Sequence, residues 1–166
     1  MKKNIFISFV IFFVFFLKLA HSEELIGIPE VIDGDTLKIN EKKIRLFGID
    51  APESKQLCKK VHLSIFIFSF HKEYLCGDRS TLNLKKYIKH DILNCKVKGK
   101  DRYKRYLAIC YKNNTDLNEW LVSTGNAVAY RKYSKKYILS ENEAKKKKIG
   151  LWSGIFEMPW DWRKKN

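Results

Sequence analysis

A small closed or half-closed β-barrel with helices packed on it is the fold class this sequence predicts, on three observations. Leu37, Ile39, Ile44 and Leu46 alternate with polar residues on either side of a turn at Asn40-Glu41-Lys42, the pattern of a hairpin with one buried face. Asn94 to Lys98 and Tyr106 to Tyr111 read as a second strand pair around the polar tip Gly99 to Arg105. Few helices intervene, so about five strands are left to close on one another. A chain of 166 residues suffices for one domain of this kind and is too short for two.

In chain order, Lys2 and Lys3 precede an apolar run from Ile5 to Leu17, followed by Ala20-His21-Ser22. A basic start, a short apolar middle and small residues before a cut describe a secretory signal peptide over residues 1–22. The run is shorter than the roughly 18 residues expected of a membrane span. The domain is therefore expected over 23–166, with no stable membrane association once the signal is removed; a retained signal makes an anchored protein. Leu25 to Ile32 is apolar enough for a strand, broken by Asp33-Gly34-Asp35. Gly48 to Pro52 ends the hairpin, because proline cannot extend a ladder.

Helices are expected over Ser80 to His90, over Leu117 to Thr124 with Asp116 as N-cap and Gly125 as stop, and over Ser134 to Ile149. Lys145 to Lys148 suit the negative end of the last helix. The aromatic tail from Leu151 to Trp162 is expected to pack back on the body. Val61 to Lys72 interrupts a polar loop with an apolar stretch that is a β-aggregation hazard if exposed. It reads as an extra hairpin arm, a partner-binding patch or an erroneous translation, and a tolerated insertion or artefact is the preferred account.

The net charge is +15; Lys2, Lys3 and Lys18 carry three of these and residues 1–22 hold no acid, leaving +12 on the rest. Such a field concentrates polyanions, nucleic acid being the commonest, although charge alone does not separate a nucleic-acid binder from a Lys-rich soluble protein. Four cysteines after an export signal suggest two disulfides, with three possible pairings. Cys95 and Cys110 lie symmetrically about the hairpin tip, which leaves Cys58 for Cys76. No Cys-x-x-Cys or His spacing supports zinc.

Asp35, Arg45, Asp50 and Glu53 fall in one window, at strand breaks and ends that adjacent strands bring together. Carboxylates gathered this way repel unless a cation lies between them, and a hard cation with oxygen ligands such as Ca²⁺ suits a loop site. Asp-Gly-Asp and Asp-x-Pro-Glu are also good turn formers, and on spacing alone turns are the better account.

The motifs carry more than the spacing. Val31-Ile32-Asp33-Gly34-Asp35-Thr36, Ile44 to Glu53, Asp101-Arg102-Tyr103-Lys104-Arg105, Leu117 to Val122 and Gly150-Leu151-Trp152 follow one another in the order of the staphylococcal nuclease (thermonuclease) family, which the chain resembles over roughly residues 25–163 apart from the insert. The closing Phe156 to Arg163 is similar to secreted bacterial members. The resemblance implies an OB-fold, a five-stranded barrel capped by three helices. It implies Ca²⁺ on Asp35, Asp50 and the backbone carbonyl of Ala51, with Asp33 supporting the site from behind.

By the same resemblance Glu53 is the general base, Arg45 and Arg105 bind the scissile phosphate, and Arg102, Tyr103 and Tyr130 contact the nucleic acid. Guanidinium suits phosphate because its planar fork meets two oxygens and stays charged. Stacking on tyrosine accepts any base, so little sequence preference follows. The implied protein is a monomeric, exported endonuclease, periplasmic or extracellular. It cleaves DNA and RNA, single-stranded or frayed, and leaves 3′-phosphate ends. One departure matters: Lys104 stands where the family usually has Gly, so a turn that needs positive φ aims Arg105 at some steric cost. The alternative is a non-catalytic OB-fold nucleic-acid-binding module, since the fold serves many functions.

Overall fold

The computed structural model describes residues 23–65 and 68–166; the signal-peptide reading lies outside the described residues. Its main sheet is built from β1 (Glu24–Gly27), β2 (Glu30–Val31), β3 (Thr36–Ile39), β4 (Lys42–Leu46), β8 (Leu93–Lys100), β9 (Tyr106–Lys112) and β10 (Thr115–Asp116). The order is β1-β8-β9-β4-β3-β2, with β10 paired to β9. All pairs are antiparallel except β4 with β9, where Arg45 stands opposite Leu107. That parallel pairing joins the two predicted hairpins into one curled sheet, the half-barrel of an OB-fold.

The predicted turn is a two-residue loop. Asn40 and Glu41 both have positive φ, as do Asn113 and Asn114 between β9 and β10. Positive φ at both central residues gives the turn whose twist matches a right-handed hairpin. Leu37, Ile39, Ile44 and Leu46 are fully buried, as the alternation requires. They meet Leu84, Ile88, Leu117 and Leu121 from the helices in one core, and burial of each such side chain contributes about 1.5–3 kcal/mol. The expected first strand is broken in two, β1 pairing with β8 and β2 with β3.

Helix α1 spans Cys76–Ile88, α2 Leu117–Ser123, α3 Ile138–Lys146 and α4 Pro159–Lys165, with a 3₁₀ turn at Gly150–Ser153. Asp116 caps α2 as expected, accepting from the Glu119 N–H at 3.0 Å. The expected third helix begins at Ile138, not Ser134, because Tyr130 to Ser134 form turns anchored by the Tyr130 N–H on the Gly48 carbonyl. The tail does fold back, and it ends in the helix α4 that the sequence pattern did not show. Asn118, fully buried, ties α2 to the barrel: it accepts from the Cys110 N–H and donates to the Phe47 and Ala108 carbonyls. None of the helices among the described residues is long and apolar enough to cross a membrane.

Both disulfides pair as read from the sequence. Cys95 and Cys110 are register partners on β8 and β9, and Cys58 joins Cys76. The apolar segment after Cys58 takes the form of a hairpin arm. Strand β6 (Leu57–Ile65) pairs with β7 (Phe68–Leu75), from Leu57 opposite Leu75 to Ile65 opposite Phe68. The short strand β12 (Gly154–Ile155) pairs with the base of β6. The arm therefore grows outward from the Cys58–Cys76 bridge and adds length without entering the barrel ladder.

Candidate active site

The site begins with two strand ends laid side by side. Thr36 is the register partner of Arg45, so Asp35 comes off β3 beside Arg45, and its carbonyl accepts from the Leu46 N–H at 2.9 Å. The two-residue strand β5 (Ile49–Asp50) pairs with β11 (Val128–Ala129), Val128 opposite Asp50. Asp50 is thus in a ladder, one residue before the Ala51-Pro52 break, and this fixes the direction in which its side chain leaves the backbone. Close approach completes the frame. A Cβ on Gly77 would come within 1.9 Å of the Glu53 carbonyl oxygen, so only glycine lets α1 start against the Pro52-Glu53 backbone.

Asp35 and Asp50 are buried and share one guanidinium: Arg45 donates to Oδ1 of each. The second oxygen of Asp35 accepts from the Ala51 N–H at 2.8 Å. Asp33 accepts from the Asp35 N–H at 3.0 Å, a local turn bond to the main chain of Asp35. Burial pushes the Asp35 carboxyl up to about 7, against the pull of Arg45. Burial disfavours the charge on Arg45, yet Asp35 and Asp50 outweigh it and the pKa of Arg45 is raised.

A residue outside the sequence reading joins them. Arg163, in the last turn of α4, donates to Asp50 Oδ1 at 3.1 Å and Oδ2 at 2.8 Å, and to Glu53 Oε1 at 2.6 Å. Asp50 and Glu53 outweigh the burial penalty on its charge, and its pKa is raised. Gln56, fully buried, links the same parts. Its Oε1 accepts from the Glu53 N–H at 3.3 Å and its Nε2 donates to the Glu157 carbonyl at 2.7 Å.

Arg105, Arg102 and Tyr103 form a separate group on the β8–β9 tip. Asp101 accepts from the Arg105 Nε at 2.8 Å and from the N–H groups of Tyr103 and Arg105. Burial raises the Asp101 pKa, but the hydrogen bonds from Arg105 outweigh it and hold the carboxyl below its usual range. Arg102 lies over the exposed Tyr103 ring and donates to its hydroxyl at 2.6 Å. Arg105 immediately precedes β9, and a period of two puts it on the face of Leu107, the register partner of Arg45. Tyr130 is stacked on Trp160 at 5.3 Å, with Tyr133 edge-on at 4.8 Å.

Lys104 does carry a positive φ, +63°. An L-residue there costs about 1 kcal/mol relative to glycine, so Lys104→Gly is expected to raise stability by up to about that amount in urea denaturation, the added freedom of the unfolded chain offsetting part of the gain.

Hard oxygens are what this donor set offers. Among the described residues no three His, Cys, Asp or Glu side chains gather as a metal cage. Two buried carboxylates nonetheless converge within the span of one guanidinium, and that leaves the remaining ligands of an oxygen-loving cation to main chain, water and substrate. The residues fit Ca²⁺ in that partial sense. A cleft of about 480 Å³ between α1 and α2, lined by Tyr74, Arg79, Tyr87 and Trp120, lies apart from these carboxylates.

A family model described as staphylococcal nuclease homologue matches residues 43–154. The chain is 32% identical over 134 residues to the succinoglycan biosynthesis protein ExoI of Rhizobium meliloti (strain 1021), covering 79% of this chain and 66% of that one. It is 31% identical over 144 residues, 82% of each chain, to an uncharacterized endonuclease of Escherichia coli O157:H7. It is 36% identical over 125 residues to the staphylococcal-like nuclease CAN1 of Arabidopsis thaliana, 74% of this chain and 33% of that one. The chain belongs to the staphylococcal nuclease homologue family, and its relatives support a nuclease function in general.

Proposed function

We propose that the chain is an exported, Ca²⁺-dependent endonuclease that hydrolyses DNA and RNA with little sequence preference and leaves 3′-phosphate ends. What supports the reading is the meeting of Asp35 and Asp50, both buried, on the Arg45 guanidinium, with Glu53 tied to Asp50 through Arg163. A module that only bound nucleic acid has no need of buried carboxylates, which repel phosphate.

In this reading Asp35, Asp50 and the Ala51 carbonyl hold Ca²⁺, which neutralises charge on the phosphate when bound. Glu53, half exposed, takes a proton from the attacking water. As water adds to phosphorus, the P–O5′ bond breaks; the electron pair leaves on O5′, which takes a proton from solvent, and the phosphate stays on the 3′ side. Arg45 and Arg105 stabilise the charge that builds on the phosphoryl oxygens, a contribution of the kind that usually dominates. For that, Arg105 exchanges part of its Asp101 pairing for phosphate. Tyr103 and Tyr130 supply rings for unstacked bases, which favours single-stranded or frayed substrate, and Arg102 a further phosphate contact. Four cysteines in two disulfides suit an oxidising compartment, periplasmic or extracellular. A single domain with its own core is consistent with a monomer.

Digestion of denatured DNA and of RNA tests this. Cleavage with Ca²⁺, its loss on adding chelator, and 3′-phosphates by end-group analysis are the expected results. Chelator-resistant cleavage overturns the metal assignment, and binding without any cleavage returns the protein to the class of OB-fold binders.

A further inference from the structure

Arg163 reaches the site from the far end of the chain, and its surroundings show it to be a resident of that site. Helix α4 is built into the second apolar cluster of the molecule. That cluster contains the Cys58–Cys76 bridge, Val128 and Leu151, with Trp160 packed on it and stacked over Tyr130. Gln56 bonds the preceding strand of backbone at Glu157. A loose tail would have none of these anchors.

From this seat one guanidinium spans two carboxylates, both oxygens of Asp50 and Oε1 of Glu53. Asp50 is fixed in a ladder and buried; Glu53 has a half-exposed side chain with solvent on one side. Like charge on Asp50 drives the Glu53 carboxylate outward, and the Arg163 fork opposes that drift. We propose that Arg163 is a positioning residue: it holds the Glu53 carboxylate at a set distance from Asp50, and it does so at some expense in cation affinity, because its fork also covers Asp50. The inference rests on the nuclease reading for the role of Glu53, and on the Ca²⁺ assignment together with the Arg163–Asp50 contact for the competition at Asp50.

The two halves predict changes of opposite sign in one variant. Arg163→Ala is expected to lower kcat by about 10- to 100-fold, the scale of a misplaced catalytic group, with KM changed less than about threefold. Its Kd for Ca²⁺, measured by calorimetry on the full chain without substrate, is expected to fall severalfold. Arg163→Lys keeps charge without the fork and should fall between the two in kcat. Added guanidinium ion should restore part of the Arg163→Ala rate where equal NaCl does not. Lys164→Ala, on an exposed neighbour paired with Asp161, should behave as the parent.

A folded Arg163→Ala with kcat within twofold of the parent overturns the proposal, as does weaker Ca²⁺ binding together with slower turnover. Should Arg163→Ala fail to fold, Arg163→Lys decides, full parental kcat counting against the fork. If the parent chain does not hydrolyse nucleic acid, the nuclease reading is what fails, and the calorimetric comparison still decides the competition at Asp50.

Discussion

Glu53→Gln is expected to slow hydrolysis of denatured DNA by about 10²- to 10⁴-fold, the range for loss of a general base. The substitution is nearly isosteric, and an amide oxygen can still accept from Arg163, so the thermal midpoint should barely move. Arg105→Ala is expected to cost about 10²- to 10³-fold, the scale of removing one preorganised donor to developing charge. It also releases Asp101, whose bonds to the Tyr103 and Arg105 N–H groups remain to hold the tip. Single-turnover rates beside denaturation curves separate lost chemistry from lost fold. Full activity retained in both variants would sink the assignment of the site.

Glu141→Ala should be among the most damaging substitutions away from the site. Glu141 is 1% exposed, accepts from the Ala129 N–H at 3.0 Å and from Lys145 at 2.9 Å, and pairs with Arg131. Its removal strands a buried N–H and opens a void, together about 2–4 kcal/mol. Ala129 belongs to β11, whose Val128 pairs with Asp50, so the loss should reach the carboxylates as well. Urea titration should show a lower midpoint at unchanged slope. Glu141→Gln keeps an acceptor for Ala129 and should lose less than half as much. Equal losses in the two variants would mean that the charge matters more than the hydrogen bond to the strand.

The parts of this protein legible in its sequence are those whose cause is local. Leu37 to Leu46 declares a hairpin because burial on one face and turn chemistry act within ten residues. Cys95 and Cys110 declare their bridge because symmetry about a tip sets strand register. Asp116 declares a helix start because a cap acts three residues ahead. The carboxylates were ambiguous by spacing, since the same residues make good turns, and family motifs in order separated the two readings. Nothing in the tail's composition distinguished Arg163 from its neighbours Lys164 and Lys165, and a buried Glu141 inside a lysine-rich helix looks like surface.

The sequence by itself determined the two barrel hairpins, the disulfide pairing and the identity of Asp35, Arg45, Asp50, Glu53 and Arg105 as candidates, because period, turn type and motif order are read along the chain. Tertiary structure alone decided through which contacts they meet. It set Asp35 and Asp50 on a common guanidinium, left Arg105 with Asp101, and brought Arg163 across 110 residues to Glu53. Such contacts are made where separate elements pack. Their geometry depends on how the second apolar cluster seats α4 and how β11 seats β5, and neither is written in the residues that touch.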